Sequence, residues 1–293
     1  MEVILSGVLG FCMGVRRAVE LAVEESQRSA DSGFPVYTFG SLIHNPKVLA
    51  SLKSCGVETW QDTSDISSVK LENCSVIIRA HGISPSAEKE LAGRGCRIVD
   101  ATCPKVKASQ LRVKELSQEG YSLFLAGDAE HAEIKSIIGY ADASAFCTVV
   151  ANADEAKNAA DSLYKTNSGA KTALLGQTTI SQDEYDNIGE AIKKYFPNLK
   201  IEKTICAATN ERQKALRELL TKVDAVIIAG GRESANTRHL LAIAQESGKP
   251  CALAESSADI PENFYTYKTV GISAGASTPD SVIAEIEKRL CGG

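Results

Sequence analysis

The sequence predicts an α/β fold of three small α/β domains with parallel-type sheets. Short apolar runs alternate with segments whose apolar residues recur at helical spacing, as in βαβ units. Three of these strand-to-helix corners carry a cysteine, at Cys12, Cys103 and Cys206, spaced roughly 100 residues apart, which indicates a threefold repeat. We therefore predict domains at 1–102, 103–205 and 206–293, and the N-terminal strand is a candidate to pack with the third.

The first and third corners have the same pattern. In the first, the apolar run Val3–Leu9 leads through Cys12 into a helical pattern at Val15–Glu25. In the third, Lys200–Ile205 is interpreted as a strand, and a helix is predicted after Asn210, whose side chain suits the N-cap.

The middle corner, Ile98–Lys107, is the most explicit of the three. Its apolar run ends at Cys103, and Pro104 follows in the position that proline favours at the start of a helix. The partial positive charge at a helix N-terminus favours a thiolate. Such a cysteine suits either a metal ligand or a nucleophile, and this corner alone leaves both open.

Two further strand-and-loop units follow each cysteine, and each loop leads into a helix-like segment. Ligands of parallel sheets bind beyond the carboxyl ends of the strands, so the loops are where functional residues are expected. The six predicted strands are Val36–Gly40, Val76–Ile78, Leu123–Leu125, Ala173–Leu175, Val226–Ala229 and Val270–Ile272.

Composition excludes several classes of protein. The 293 residues carry 32 basic and 37 acidic side chains, for a net charge of −5, which argues against a general nucleic-acid binder. No apolar run approaches the roughly 18 residues that suggest a membrane span. Nine cysteines, an odd and widely spaced set, make a poor disulfide framework, so we expect reduced thiols in the cytoplasm.

The three corner cysteines are candidate metal ligands, because each lies in a different third of the chain. Three soft thiolates suit zinc or an iron–sulfur group, and a fourth position left open is typical of a catalytic site. The other cysteines are interpreted as small buried apolar residues, apart from a tail thiol at Cys291; they are Cys55, Cys74, Cys96, Cys147 and Cys251.

Three of the four histidines, His44, His81 and His131, lie in loops that follow strands. If these loops converge, the rings supply N–H donors to an anion. Glu133 is a candidate proton donor, because enclosure beside an anion raises the pKa of a carboxyl group. His239 is interpreted as structural. Asp128 and Glu130 are expected to face solvent.

Hydroxyl and amide side chains form another candidate group. Thr178, Ser234, Asn236 and Ser277 lie in glycine-bearing loops ahead of helices, where each serves either as an ordinary N-cap or, with helix N–H groups, as part of a phosphate site. The sequence contains neither a Walker motif nor a G-x-G-x-x-G motif.

Taken in order, these motifs resemble the 4-hydroxy-3-methylbut-2-enyl diphosphate reductase family along the whole chain. The motifs that carry the resemblance are Gly10-Phe11-Cys12-Met13-Gly14-Val15, His44-Asn45-Pro46, Arg79-Ala80-His81-Gly82, Asp100-Ala101-Thr102-Cys103-Pro104, His131-Ala132-Glu133, Gly176-Gln177-Thr178-Thr179, Cys206-Ala207-Ala208-Thr209-Asn210-Glu211-Arg212-Gln213 and Ser273-Ala274-Gly275-Ala276-Ser277.

The resemblance implies a pseudo-threefold trefoil around one [4Fe–4S] cluster, whose protein ligands are Cys12, Cys103 and Cys206 and whose fourth iron receives the substrate hydroxyl. It implies that Thr178 binds the hydroxyl end and that Glu133 supplies protons. Ferredoxin or flavodoxin would supply two electrons, and the products would be isopentenyl and dimethylallyl diphosphate. The implied diphosphate ligands are His44, His81, His131, Ser234, Asn236 and Ser277.

Two positions depart from the family pattern. Ala235 stands where many members have serine, which puts one hydroxyl contact to phosphate in doubt, and Ala132 stands where proline is usual. Two other functions remain as alternatives: a quinolinate-synthase-like [4Fe–4S] lyase, which would need a dicarboxylate site, and a non-enzymatic iron–sulfur sensor, which usually carries a distinct effector domain.

Overall fold

The computed structural model describes residues 1–60, 66 and 73–292. Within them, twelve strands form three sheets of four parallel strands, which confirms the predicted α/β class. The strands are β1 (Glu2–Leu5), β2 (Val36–Phe39), β3 (Val57–Trp60), β4 (Ser75–Ile78), β5 (Arg97–Asp100), β6 (Ser122–Ala126), β7 (Cys147–Val150), β8 (Thr172–Gly176), β9 (Lys200–Ile201), β10 (Ala225–Ala229), β11 (Cys251–Ala254) and β12 (Thr269–Ala274).

Ten α-helices lie within the described residues, most of them between consecutive strands, as crossover connections between parallel strands require. The helices are α1 (Met13–Ser32), α2 (Pro46–Ser54), α3 (Pro85–Gly93), α4 (Pro104–Gln118), α5 (Ala132–Ile138), α6 (Ala153–Thr166), α7 (Gln182–Lys193), α8 (Ala207–Leu220), α9 (Ala235–Glu246) and α10 (Asp280–Cys291).

One strand order recurs in all three sheets. The orders are β3-β2-β4-β5, β7-β6-β8-β9 and β11-β10-β12-β1. The fourth strand of the last sheet is β1, which pairs in parallel with β12 from Glu2 opposite Thr269 to Leu5 opposite Ile272. The N-terminal strand therefore completes the sheet formed by the C-terminal part of the chain.

Each sheet is buried mainly through its central strands, whose successive side chains point to opposite faces. In β10, the side chains of Ala225, Ile227 and Ala229 pack in one apolar cluster, while those of Val226 and Ile228 pack in another. This alternation explains why central strands are apolar without interruption.

The chain divides into two compact units. The first comprises Met1–Arg16, Ile43–Ser54 and Ala207–Gly293, and the second comprises Arg17–Leu42 and Cys55–Cys206. The first contains the sheet of β1, β10, β11 and β12, and the second contains the other two sheets. Among the described residues, no helix has the length and apolar character needed to cross a membrane.

Several expectations from the sequence were wrong in detail. Helix α8 begins at Ala207, so Asn210 lies inside its first turn rather than at the N-cap. Its preceding strand, β9, is only Lys200–Ile201 instead of continuing to Ile205. Cys55 is exposed rather than buried, because it lies just after the end of α2.

Each sheet also has one edge strand that the apolar pattern did not predict, namely β3, β7 and β11. All three are four residues long and only partly buried, so they lack the continuous apolar run of a central strand. The three occupy the same edge of the repeated strand order.

Candidate active site

The three corner cysteines occupy equivalent positions in the fold. Each follows the fourth strand of a sheet and immediately precedes a helix, Cys12 before α1, Cys103 before α4 and Cys206 before α8. All three are reduced and partly buried. The N-terminus of a helix is a favourable place for a thiolate.

Four of the remaining cysteines lie at the start of a strand or just before one. Burial raises the pKa of the Cys74 and Cys147 thiols to about 11, and it raises the pKa of Cys96 and Cys251 as well. An apolar environment disfavours the thiolate, which is the form that binds metal. Cys74 fits the predicted role of a small buried apolar residue, whereas Cys96, Cys147 and Cys251 are only partly buried, and Cys291 is exposed near the C-terminus.

The second unit contains the predicted acid, Glu133, near the N-terminus of α5. Its side chain is 2% exposed, and its carboxylate accepts two hydrogen bonds from Thr178, from the backbone N–H at 2.6 Å and from the hydroxyl at 2.9 Å. Burial raises the pKa of Glu133 to about 7, although both hydrogen bonds act to lower it. The raised pKa suits a proton donor at neutral pH.

His131 is the N-cap of α5, and its Nδ1 accepts a hydrogen bond of 3.2 Å from the backbone N–H of Glu133. In the neutral imidazole the proton must then lie on Nε2, which leaves Nε2–H as a donor. The His131 ring meets the His81 ring edge to face, with 5.1 Å between the ring centroids. Two of the predicted anion ligands therefore lie side by side.

Backbone hydrogen bonds connect the cysteines of the second unit to these side chains. The N–H of Cys103 donates to the carbonyl of Ala80, the residue before His81, at 2.9 Å. The N–H of Cys206 donates to the carbonyl of Thr178, also at 2.9 Å. The second unit thus brings together Cys103, His81, His131, Glu133, Thr178 and Cys206.

The first unit brings together the loop that precedes α1 and the loop that follows β12. The N–H of Cys12 donates to the carbonyl of Ala276 at 3.0 Å, and the hydroxyl of the next residue, Ser277, donates to the carbonyl of His44 at 3.4 Å. An added Cβ on Gly231 would lie 2.5 Å from that same carbonyl oxygen, so the β10–α9 loop also packs on His44.

The last two predicted ligands lie at the start of α9, Ser234 as its N-cap and Asn236 in its first turn rather than in the preceding loop as expected. Ser234 is the N-cap of α9, where its hydroxyl oxygen accepts a hydrogen bond of 3.4 Å from Thr237 N–H. Asn236 is 3% exposed, and neither its amide nitrogen nor its amide oxygen has a hydrogen-bond partner among the described residues. A buried amide without partners is costly, which points to a ligand at this position.

Other predicted positions agree with their expected roles. His239 lies within α9, and Asp128 and Glu130 are exposed. Both departures from the family pattern, Ala132 and Ala235, are the first residues of their helices, directly after the N-cap. Alanine is compatible with the helix there, so neither departure disturbs the local backbone.

Two arginines that the sequence pattern did not predict, Arg17 and Arg212, hold the cysteine loops. Arg212 belongs to a family motif quoted from the sequence, but the sequence gives no sign that its partners are backbone carbonyls. The role of Gly231 against His44 also required the structure.

A family model described as LytB protein matches residues 3–291. The chain belongs to the LytB family. The family membership that the motifs indicate is therefore confirmed.

Relatives of this LytB-family chain align over nearly their whole length. A 4-hydroxy-3-methylbut-2-enyl diphosphate reductase from Treponema denticola is 42% identical over 286 residues, which cover 98% of each chain. A protein of the same name from Aquifex aeolicus is 36% identical, over 99% of this chain and 96% of its own.

Two solved structures share the fold of this LytB-family chain. One is described as (E)-4-hydroxy-3-methyl-but-2-enyl diphosphate reductase, the terminal enzyme of the non-mevalonate pathway; it is 35% identical, with full coverage of both chains and a TM-score of 0.72. The other, a reductase from Plasmodium falciparum, is 28% identical, covers 98% of this chain and 86% of its own, and has a TM-score of 0.85.

Proposed function

We propose that this chain is a 4-hydroxy-3-methylbut-2-enyl diphosphate reductase, which removes the substrate's hydroxyl group reductively. The C–O bond breaks, two electrons and two protons enter, and one water leaves, giving isopentenyl or dimethylallyl diphosphate as the last step of the non-mevalonate pathway. Relatives up to 42% identical carry this name over essentially the whole chain. The proposal requires an allylic diphosphate substrate and an electron donor.

The observation that carries the proposal is the enclosed pair of Glu133 and Thr178. A hydroxyl group is a poor leaving group until it is protonated, so its removal needs an acid that holds a proton at neutral pH. Glu133, with a pKa of about 7, is partly protonated there. An exposed carboxyl group, with a pKa near 4.3, would hold almost no proton under the same conditions.

Thr178 provides the route from this acid to the substrate. Its hydroxyl lies 2.9 Å from Glu133 Oε2 and donates to the ionised carboxylate. When Glu133 is protonated, the carboxyl O–H donates to Thr178 Oγ1, and the threonine hydroxyl in turn donates to the substrate's oxygen. The Thr178 N–H holds the other carboxyl oxygen at 2.6 Å and fixes the acid in place.

We propose that the diphosphate is bound by neutral and partly positive donors. His131 caps α5 through Nδ1, so its proton lies on Nε2, and the ring presents an N–H donor at that atom. The Asn236 amide is buried and without a partner among the described residues. The full proposed set comprises His44, His81, His131, Ser234, Asn236 and Ser277. A set of N–H and O–H donors suits an anionic diphosphate better than an apolar or cationic ligand.

We propose that Cys12, Cys103 and Cys206 bind one [4Fe–4S] cluster through three thiolates. Their chemistry fits, since each is a reduced, partly buried thiol at a helix N-terminus. When bound, such a cluster stores electrons at low potential and offers an iron Lewis acid. Ferredoxin or flavodoxin is the proposed electron donor, and the cytoplasm the proposed compartment.

The decisive test is an anaerobic assay of iron-reconstituted protein with the hydroxylated allylic diphosphate and reduced methyl viologen. We expect both isomeric diphosphates as products and about four irons per chain. Reconstituted protein that contains iron but forms no product would contradict the proposal and favour the lyase or the sensor. Assaying the same preparation with dicarboxylates separates those two, because only the lyase would consume them.

A further inference from the structure

Arg212 links the loop that precedes Cys12 to the end of β12. The side chain is buried, and its guanidinium donates to the carbonyls of Gly10, at 2.7 Å, and Ala274, at 3.1 Å. A backbone hydrogen bond joins the same two segments two residues further along each, where Cys12 N–H donates to the Ala276 carbonyl at 3.0 Å. One guanidinium therefore fixes the backbone directly ahead of a proposed cluster ligand.

Arg17 does the same for the loop that precedes Cys103. Its guanidinium donates to the carbonyls of Thr102, at 3.2 Å, and Asp100, at 3.1 Å. Asp100 also accepts a hydrogen bond of 2.9 Å from the Thr102 N–H through its side chain, which forms a turn just before the cysteine. Charge-assisted hydrogen bonds to backbone carbonyls are stronger than neutral ones, so this turn is firmly held.

The positions of these arginines follow a rule along the chain. Arg17 lies in α1, the helix that begins after Cys12, but it holds the loop before Cys103. Likewise, Arg212 lies in α8, the helix that begins after Cys206, but it holds the loop before Cys12. The helix after Cys103, α4, carries Arg112, which donates to the Glu202 carboxylate at 2.8 Å, shortly before Cys206. Each cysteine's helix thus holds the segment that leads to another cysteine.

We infer that Arg17 and Arg212 are positioning residues, which order the loops of Cys103 and Cys12 before any iron–sulfur group binds. The inference rests on the proposed function for its purpose, because the two loops carry proposed cluster ligands. A planar guanidinium with a fixed fork of donors can bridge two carbonyls, whereas a lysine ammonium keeps the charge but loses that geometry. An arginine that only adds general stability would affect the whole fold rather than one loop.

The first test is peptide-resolved hydrogen exchange on metal-free protein. In the R17K variant we expect the backbone amides around Asp100–Cys103 to exchange at least tenfold faster, which is a decrease of about 1.4 kcal/mol in the free energy of local opening. In the R212K variant we expect the same acceleration in the peptides around Gly10–Cys12 and Ala274–Ala276. The matched controls R28K and R217K lie on the same two helices at exposed positions and should leave these peptides unchanged.

Exchange at the wild-type rate in those loops would overturn the inference, as would acceleration spread evenly over the whole chain. Arg212 is buried and its replacement risks misfolding, so R17K carries the test alone if R212K does not fold. Arg17 is only partly buried and tolerates the conservative change more readily.

The second test measures iron loss from anaerobically reconstituted protein to a chelator. We expect R17K and R212K to bind iron with the wild-type visible absorption band but to release it at least tenfold faster, with R28K and R217K at the wild-type rate. Release at the wild-type rate in all variants would contradict the inference. Wild-type protein that takes up no iron would instead contradict the proposed cofactor, and hydrogen exchange would still decide whether the arginines hold the loops.

Discussion

The hydroxyl and the backbone N–H of Thr178 donate to the two oxygens of the Glu133 carboxylate, at 2.9 and 2.6 Å. Both residues are almost fully buried, at 7% and 2% exposure. The pair thus combines an acid kept near neutral pKa by burial with a hydroxyl able to pass its proton onward.

Replacing Glu133 with glutamine keeps the size and the hydrogen-bonding shape of the side chain but removes the proton that it can give. We expect E133Q to fold and to bind iron normally, while turnover falls by roughly 10²–10⁴, the usual contribution of general acid catalysis. The anaerobic assay with reduced methyl viologen measures it. E130Q is the control, because Glu130 is exposed and should be neutral for turnover. Turnover of E133Q near that of the wild type would exclude Glu133 as the proton source.

Thr178 should matter through its hydroxyl rather than through its backbone. T178V keeps the N–H bond to Glu133 Oε1 and loses the hydroxyl bond to Oε2, so we expect turnover to fall by roughly 10²-fold or more. Loss of that bond also raises the pKa of Glu133 further, because the bond acts to lower it. T178S restores a hydroxyl and should recover most of the rate. Equal rates for the two variants would contradict a relay through this hydroxyl.

The pKa of Glu133 predicts how turnover depends on pH. The acid form is present below about pH 7 and is lost above it, so the rate should decline as pH rises through about 7. A pH–rate profile under saturating substrate measures this. The remaining slow rate of E133Q should lack the decline, and a decline that persists in E133Q would have to be assigned to another group.

The same group makes folding stability depend on pH. An unfolded glutamate has a pKa of about 4.5 and the folded one of about 7, so the native state binds more protons between these values. The stability that Glu133 contributes is therefore fully present below about pH 4.5 and is lost as pH rises through about 7. The loss is about 3 kcal/mol at 1.36 kcal/mol per pKa unit. Urea unfolding of the metal-free wild type and of E133Q at a series of pH values measures this loss. An identical pH dependence of the unfolding free energy in both proteins would refute the titration of buried Glu133.

Cys103 should be required for iron binding, whereas a cysteine outside the three corners should not. We expect C103S to retain its fold but to lose most of its iron and its activity, because a serine hydroxyl is a poor ligand where a soft thiolate is preferred. C55S is the control, since Cys55 is exposed and follows α2. Iron content and visible absorption after anaerobic reconstitution measure this. A C103S protein with full iron content and full activity would contradict the proposed cluster.

Gly231 should matter for substrate binding because a side chain there displaces His44. The Cβ of G231A would lie 2.5 Å from the His44 carbonyl oxygen, a distance that forces the backbone to move. We expect the KM for the diphosphate to rise about tenfold, since misplacing one ligand loses about 1.4 kcal/mol of binding. G7A is the control, because a Cβ at Gly7 meets nothing within 4 Å. An unchanged KM for G231A would remove His44 from the proposed diphosphate set.

Local patterns in the sequence were sufficient to predict the central strands and the cysteine corners. A central strand of a parallel sheet is buried on both faces, so it appears as a continuous apolar run such as Val226–Ala229. Edge strands such as β3 are half-exposed and mixed in composition, so their pattern is weak. The start of α8 was misplaced because Asn210 has the side chain of an N-cap, yet the helix begins three residues earlier, directly after Cys206.

The sequence by itself determined the α/β class, the family and the set of candidate residues, because these depend on local periodicity and on residue types at fixed spacing. Only the tertiary structure decided that Glu133 is enclosed with Thr178, that His131 Nδ1 is occupied as a helix cap, and that Arg17 and Arg212 hold the cysteine loops. Burial, tautomer choice and long-range hydrogen bonds arise from contacts between residues far apart in the chain, which local sequence patterns do not encode.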